Sequence, residues 1–408
     1  MTEGVKPSSS HDLELDQKDM TRLRMLECIR EAGAISRTDI ATALRTSPAT
    51  VTATTADLKS AGLIEEFEGE VSSKSTRGRP RVLLRIRGDS HLIAGLKVAR
   101  ETLSVVIHDF RGDEITQYET PLDQAQMPPE ALVLAIKDAV SAACAQIDAS
   151  IGDLSGISIS VAGHVDAPAN FVHWSSSLVG RNIKLGPVFA RLLPCPAFIE
   201  NDANLVAKAE QLFGEGRGVD NFLVVTIEHG VGLGIVLNGA LHRGKRGCGA
   251  EFGHTKVQLD GALCQCGQRG CLEAYVGDYA LIREVNFAGS GAPPKRLDDI
   301  LSDAAAGDPI AVAVLERAGQ IFGMGLSNLI NLFDPERIIL SGTQTRFDHL
   351  HSEAVMERIR RGVINVDAPL PEIRVHHWGD LMWAKGAAAY GIEQVSILQV
   401  KELGYHAA

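Results

Sequence analysis

Two helix starts set close together constrain the N-terminal part of this chain more than anything else in it. Ser36-Arg37-Thr38-Asp39 has the capping-box pattern that opens a helix, with Ile40 and Leu44 expected inside. Shortly afterwards Ser47-Pro48 restarts the chain, serine as N-cap and proline at the first helical position. That helix, about Pro48 to Ala61, is predicted to bury Val51 and Leu58. Upstream, a helix begins after Asp16, with Leu23, Leu26 and Ile29 on its apolar face and Arg22, Arg24 and Glu27 toward water, and stops at Gly33. Two short helices joined by a tight turn suit a helix-turn-helix. Its second helix would offer Ser47, Ala49, Thr50, Thr54 and Thr55 to DNA, small residues that let a helix settle into the major groove. A protein-docking helical module fits the helix pattern equally well.

The next segment favours DNA. Gly62 to Phe67 reads as a turn and a strand, and Val82 to Ile86 as a returning strand. The loop between them carries Lys74, Arg77, Gly78, Arg79 and Pro80, a narrow cationic segment suited to phosphates or a minor groove. The expected module is therefore a winged helix-turn-helix spanning residues 17–88, after a polar leader at 1–16 that lacks the apolar core of a secretory signal.

Charge distribution agrees. The chain has 408 residues and a net charge of −11. Up to Arg87 there are 14 basic against 13 acidic residues, so the remainder carries −12. Val71 to Arg87 holds six basic residues and no acidic one. A short basic segment ahead of an acidic body implies local phosphate contact rather than a coat of nucleic acid. No run of about 18 apolar residues is evident, so no membrane span is expected. The length calls for two or three domains.

Seven cysteines, three of them at Cys264, Cys266 and Cys271, fit a reducing cytoplasm with one metal site better than a disulfide framework. Those three soft ligands share one glycine-punctuated loop, and His254 precedes them by ten residues. A Cys₃His set is typical of structural zinc and leaves no open position for a catalytic water.

Beyond Gly88 short β-rich runs alternate with helical ones in strand-strand-strand-helix order, which implies an α/β body of mixed sheets covered by helices. Four motifs stand in that body: Glu200-Asn201-Asp202-Ala203-Asn204, Glu251-Phe252-Gly253-His254, the run Cys264 to Glu273, and Asn331-Leu332-Phe333-Asp334-Pro335. In this order and spacing they resemble the ROK group (repressors, open reading frames and kinases) from about His91 to Val395. The resemblance implies an actin/hexokinase-like fold of two ribonuclease-H-like lobes around a ligand cleft. The lobes would cover 89–202 and 203–408, with the last helix returning to the first lobe. The family also places zinc on the cysteine loop. It implies that Asn201, Asp202, Glu251, His254 and Glu273 hold sugar hydroxyls, a role that suits carboxylates in a dehydrated cleft.

Kinases of this family use the aspartate matching Asp202 as base. They also carry an Asp-x-Gly-Gly-Thr phosphate loop, where this chain has Lys97-Val98-Ala99-Arg100-Glu101. Lysine replaces the carboxylate that organises Mg²⁺, side chains replace bare glycine, and Glu101 faces phosphate with a negative charge. Phosphoryl transfer depends on placing metal and phosphate, so no ATP use is expected. The second glycine loop, Glu228 to Gly234, departs as well. The expected function is a sugar- or sugar-phosphate-responsive regulator, a repressor more often than an activator. It would bind operator DNA as a homodimer or homotetramer, with cleft closure altering the spacing of its readers. An active sugar kinase and a regulator answering to a protein partner are the alternatives.

Overall fold

The computed structural model describes residues 15–68, 82–289, 293–342, 348–350, 352–364, 369–379 and 381–405. The leader up to residue 14 and the wing residues Lys74, Arg77, Gly78 and Arg79 lie outside them. The chain divides into two compact units, 1–201 with 384–408, and 202–383.

The first unit begins with α1 (Gln17–Ala32), β1 (Ile35–Ser36), α2 (Arg37–Ala43), α3 (Pro48–Ser60), β2 (Ile64–Glu68) and β3 (Val82–Ile86). The helix boundaries follow the capping chemistry. Asp16 caps α1, Ser36 accepts from the Asp39 amide, and Ser47 accepts from the Thr50 amide with Pro48 at the first position. Gly33, at φ 69°, stops α1. The strands form an antiparallel sheet in the order β1-β3-β2. Leu26, Ile29, Ile40, Leu58, Leu63 and Leu84 are fully buried between helices and sheet. Each contributes roughly 1.5–3 kcal/mol of burial. This is a winged helix-turn-helix.

Arg22 departs from its expected wet position. It is 2% exposed, held by Asp19 at 3.0 Å and Asp57 at 2.7 Å. It stands three, four and seven residues before Met25, Leu26 and Ile29, on the core face of α1. Two carboxylates meet the charge there, which makes its burial tolerable.

The unit continues with β4 (Leu92–Val98), β5 (Thr102–Asp109), β6 (Glu114–Pro121), α4 (Pro129–Ala145), β7 (Leu154–Val161), β8 (Gly163–Asp166), β9 (Phe171–Ser175), β10 (Ile183–Lys184), α5 (Gly186–Leu192) and β11 (Ala197–Asn201). Its main sheet runs β11-β7-β4-β5-β6. Strands β4 to β6 are an antiparallel meander, while β7 and β11 are parallel to β4. Helix α4 covers one face, burying Leu132, Val133, Ile136 and Val140 against Leu96, Val105 and Ile159.

The second unit holds α6 (Asp202–Phe213), β12 (Phe222–Ile227), β13 (Val231–Leu237), β14 (Ala240–Leu241), α7 (Glu273–Val276), α8 (Asp278–Ala288), α9 (Leu297–Ala305), α10 (Pro309–Phe333), β15 (Arg337–Gly342), α11 (Glu353–Gly362) and β16 (Glu372–His377). Its sheet, β14-β13-β12-β15-β16, repeats the first one strand for strand: an antiparallel meander, then two parallel strands. This duplicated order is the actin/hexokinase-like architecture expected of the body. Helix α10 is the one helix among the described residues long and apolar enough to cross a membrane. Half of its apolar window is buried, with Phe322, Leu326 and Ile330 in this unit's core. The last helix, α12 (Met382–Tyr405), starts in this unit and from Ala384 lies with the first. There it approaches β4 so closely that a Cβ on Gly95 would stand 2.3 Å from the Ala388 nitrogen.

Candidate functional site

The metal loop is assembled within the second unit. The ligand atoms of His254, Cys264, Cys266 and Cys271 all lie within 4.8 Å of one another. Cys264 Sγ is 3.7 Å from His254 Nδ1, and Cys266 Sγ is 3.8 Å from Cys271 Sγ. Zn–S and Zn–N bonds of about 2.3 and 2.0 Å in a tetrahedron give edges of about 3.8 and 3.5 Å, near these two separations, so the donor set could hold a metal ion of that size. The loop holds this shape through its backbone, with Cys264 N–H donating to Gln268 O and Gly267 N–H to Cys264 O. Burial pushes the Cys264 thiol up, a cost that a bound divalent cation would offset by stabilising thiolate. Lys256 Nζ, 2.9 Å from Cys271 Sγ, adds a compensating charge outside the ligand set.

The candidate sugar residues occupy loop ends and helix starts. Asn201 closes β11, and its Nδ2 donates to Gly163 O at 2.8 Å. Asp202 opens α6, where Oδ1 accepts from the Ala203 amide. Glu251 is exposed and leads into the 3-10 turn Phe252–His254. Glu273, expected as a hydroxyl acceptor, is buried with protein partners on both oxygens. Oε2 accepts from the Val231 amide, and Oε1 lies 3.4 Å from both Tyr279 Oη and Cys264 Sγ. Burial pushes the Tyr279 phenol up, so it is a donor at neutral pH. Glu273 thus couples the metal loop to the turn before β13, a connection no sequence spacing announced.

That turn belongs to the second glycine segment. Gly232 and Gly234 face α6: a Cβ on Gly232 would stand 2.8 Å from the Ala203 Cβ, and one on Gly234 2.6 Å from the Ala207 Cβ. The helix packs against bare backbone, which accounts for these glycines without any nucleotide. In the first unit the segment matching the kinase phosphate loop is the hairpin between β4 and β5, with Arg100 and Glu101 exposed. The strand register carries Lys97 into a polar row, Glu119–Ser104–Lys97–Ser160–Glu200, one residue from each strand on one face of the sheet. Ser104 Oγ donates to Glu119 at 3.0 Å, and Glu200 is fully buried.

In the reader, Ser47 and Ala49 are exposed and Thr50 is half-buried. Thr54 corrects the expectation: it is 6% exposed, and Thr55 is buried beside it. With Val51 and Leu58 they follow the i, i+3, i+4, i+7 spacing of one helix face, and that face is the core. The water-facing side of α3 carries Ala49, Thr52, Ala53 and Ala56 instead. Two cations near it, Arg37 and Lys59, both pair with Glu66 of β2. Arg45 in the α2–α3 turn, at φ 50°, is exposed and has no carboxylate partner among the described residues. Sequence pattern did not single it out.

Residues 100–393 match the ROK family and residues 19–72 the MarR family. The ROK match covers most of the chain. This chain belongs to the ROK family. Among ROK relatives, the xylose repressor of Caldicellulosiruptor bescii is 27% identical, covering 84% of this chain and 88% of its own. The DNA-binding transcriptional dual regulator NagC of Escherichia coli is also 27% identical, over 83% and 84% of the two chains. A solved ROK family transcriptional regulator, described as a homologue of the E. coli MLC protein, superposes with a TM-score of 0.79 at 27% identity, covering 94% of this chain and 99% of its own. A ROK glucokinase from Streptomyces griseus, solved with glucose and AMPPNP, gives 0.61 at 28% identity and covers 74% of this chain and 99% of its own. The ROK regulator therefore spans the reader as well as the body, whereas the ROK kinase spans about the body alone.

Proposed function

We propose that this ROK protein is a cytoplasmic DNA-binding transcriptional regulator, a repressor of carbohydrate-use genes, whose operator affinity is set by a sugar or sugar phosphate. The observation that carries this reading is a winged helix-turn-helix joined to a ROK body whose phosphate-loop position holds Lys97 in place of the acid. Asn201, Asp202, Glu251, His254 and Glu273 serve the effector, Glu273 in part by fixing the turn before β13. Zinc on His254, Cys264, Cys266 and Cys271 braces that loop and supplies no reactive position. Ser47, Ala49 and Thr50, with the wing residues Lys74, Arg77, Gly78 and Arg79, meet DNA, and Thr54 supports them from the core side. Operators of such readers have two half-sites, which calls for a homodimer or homotetramer. The effector must favour one arrangement of the protein over another, since equal affinity shifts nothing.

The test selects an operator from random DNA with the full-length protein, then titrates a sugar panel into that complex. One sugar is expected to change operator affinity at least tenfold; a complex indifferent to every sugar would favour a protein partner as the signal. The competing reading, a sugar kinase, draws on Asp202 at the start of α6, where its ROK kinase relatives hold their base. Purified protein with Mg·ATP and the same panel is expected to release no ADP above background. Sustained release would replace the regulator with an enzyme.

A further inference from the structure

With both carboxylate oxygens of Glu273 taken up by the protein, the turn that Glu273 fixes carries a different acceptor beside it. That turn, Glu228-His229-Gly230, joins β12 to β13. Backbone donors hold it: Glu228 N–H donates to Gly230 O at 2.9 Å, Asp278 N–H to Glu228 O at 3.0 Å, and Val231 N–H to Glu273 Oε2 at 3.2 Å. It lies so close to Glu273 that a Cβ on Gly230 would stand 2.8 Å from Oε2. His229, at its tip, is exposed. Its ring centroid is 5.5 Å from that of Tyr279, whose Oη is 3.4 Å from Glu273 Oε1. The imidazole is oriented as well as placed. Nε2 is 3.1 Å from Oε1 of Gln265, which stands between the candidate metal ligands Cys264 and Cys266. An amide oxygen only accepts, so Nε2 donates, and Nδ1 of the neutral ring keeps its lone pair. Among the described residues Nδ1 has no hydrogen-bond partner. Fixing the tautomer makes Nδ1 a dedicated acceptor, as an outer partner does for a metal-bound histidine.

We propose that His229 binds the effector directly: its Nδ1 accepts a hydrogen bond from a sugar hydroxyl, the role that the Glu273 carboxylate gives up by serving the protein. This rests on the sugar-responsive reading and adds to it a residue and a tautomer. Gln265 is then a positioning residue, which ties the metal loop to the sugar through the imidazole. The contact needs a hydroxyl donor, so it selects against an analogue that lacks that hydroxyl.

The experiment is calorimetry on the full-length, zinc-loaded protein with glucose, mannose, galactose, xylose, N-acetylglucosamine and glucose 6-phosphate. The monodeoxy analogues of the tightest binder follow. Substitutions at His229 separate the two ring nitrogens. His229→Asn keeps a polar acceptor near the place of Nδ1, His229→Gln keeps the reach to Gln265, and His229→Leu keeps neither. His229→Leu and His229→Gln are expected to weaken binding about tenfold, and His229→Asn by no more than about threefold. Zinc content and thermal midpoint are expected to stay unchanged in all of them. One monodeoxy analogue is expected to bind the wild type about tenfold more weakly than its parent sugar, yet to match the parent on His229→Leu, since both changes remove the same hydrogen bond. Undiminished affinity in His229→Leu overturns the inference and leaves the sugar-responsive reading standing. So does His229→Asn binding as weakly as His229→Leu, or a loss of affinity that appears only with a loss of zinc. Absence of heat with every sugar overturns both.

Discussion

The guanidinium of Arg30 lies over the ring of Phe110, 5.2 Å from its centroid, and joins α1 of the reader to the end of β5 in the body. Nη2 is also 3.4 Å from Ser396 Oγ on α12. Burial pushes this guanidinium down to about 10, so it stays charged at neutral pH, with Glu27, Glu393 and Asp109 offsetting part of the cost. The reader and the first lobe of the body thereby belong to one compact unit. Arg30→Ala should lower stability by about 2 kcal/mol through lost packing and cation–π contact. It should also make α1 amides exchange faster than those of β12. A urea melt combined with hydrogen exchange checks this, and unchanged α1 protection would contradict it.

The base-reading face of α3 is tested by two substitutions one residue apart. Ala53→Glu should abolish specific operator binding without moving the thermal midpoint, since a carboxylate on the exposed face repels phosphate. Thr54→Ala should cost about 1 kcal/mol of stability and leave base preference intact. The reverse pattern would put Thr54 back on the DNA.

Glu66 holds both Arg37 and Lys59, and these ion pairs keep its carboxyl below the usual range. Glu66→Gln frees two cations beside α3. Non-specific DNA affinity should rise, and the slope of log affinity against log salt should steepen by about one to two units. Arg45→Ala, by contrast, should flatten that slope by about one, as should Arg79→Ala in the wing. Filter binding over a salt series distinguishes them.

The metal loop predicts a different readout. Cys266→Ser should reduce zinc from about one per chain to well below half and lower the thermal midpoint, because metal binding is coupled to folding of such loops. Chelator treatment of the wild type should give the same shift. Full zinc occupancy in the variant would mean that other ligands hold the ion.

Burial pushes the imidazoles of His91 and His108 below their ordinary value. Below about pH 6.5 the unfolded chain binds protons that these folded histidines refuse, so stability should fall as pH drops through that point. The double variant His91→Asn, His108→Gln should show a shallower decline in midpoint between pH 6.5 and 5. Parallel slopes would assign the acid sensitivity to other groups.

Much of this architecture could be read before any coordinates, where short-range chemistry decides. The serine caps at Ser36 and Ser47, the stop at Gly33 and the cysteine loop are local, and each settles its own neighbourhood. What escaped depends on rotation about an axis or on register between distant strands. The apolar periodicity of α1 pointed to Leu26 and Ile29 but gave no sign that Arg22 turns inward to Asp57, which lies 35 residues away. Threonine is tolerated on either side of a helix, so Thr54 could be assigned to the groove or to the core until Val51 and Leu58 fixed the face. The double engagement of Glu273 brings together residues 42 apart, Val231 and itself, and no motif spacing encodes that meeting.

The row that threads Glu119, Ser104, Lys97, Ser160 and Glu200 across five strands also bears on what a single substitution could do. On the regulator reading, placing an aspartate at position 97 alone would set a third carboxylate into a file already holding two, with its central positive charge gone. Lys97→Asp alone is therefore expected to destabilise this sheet rather than confer phosphoryl transfer.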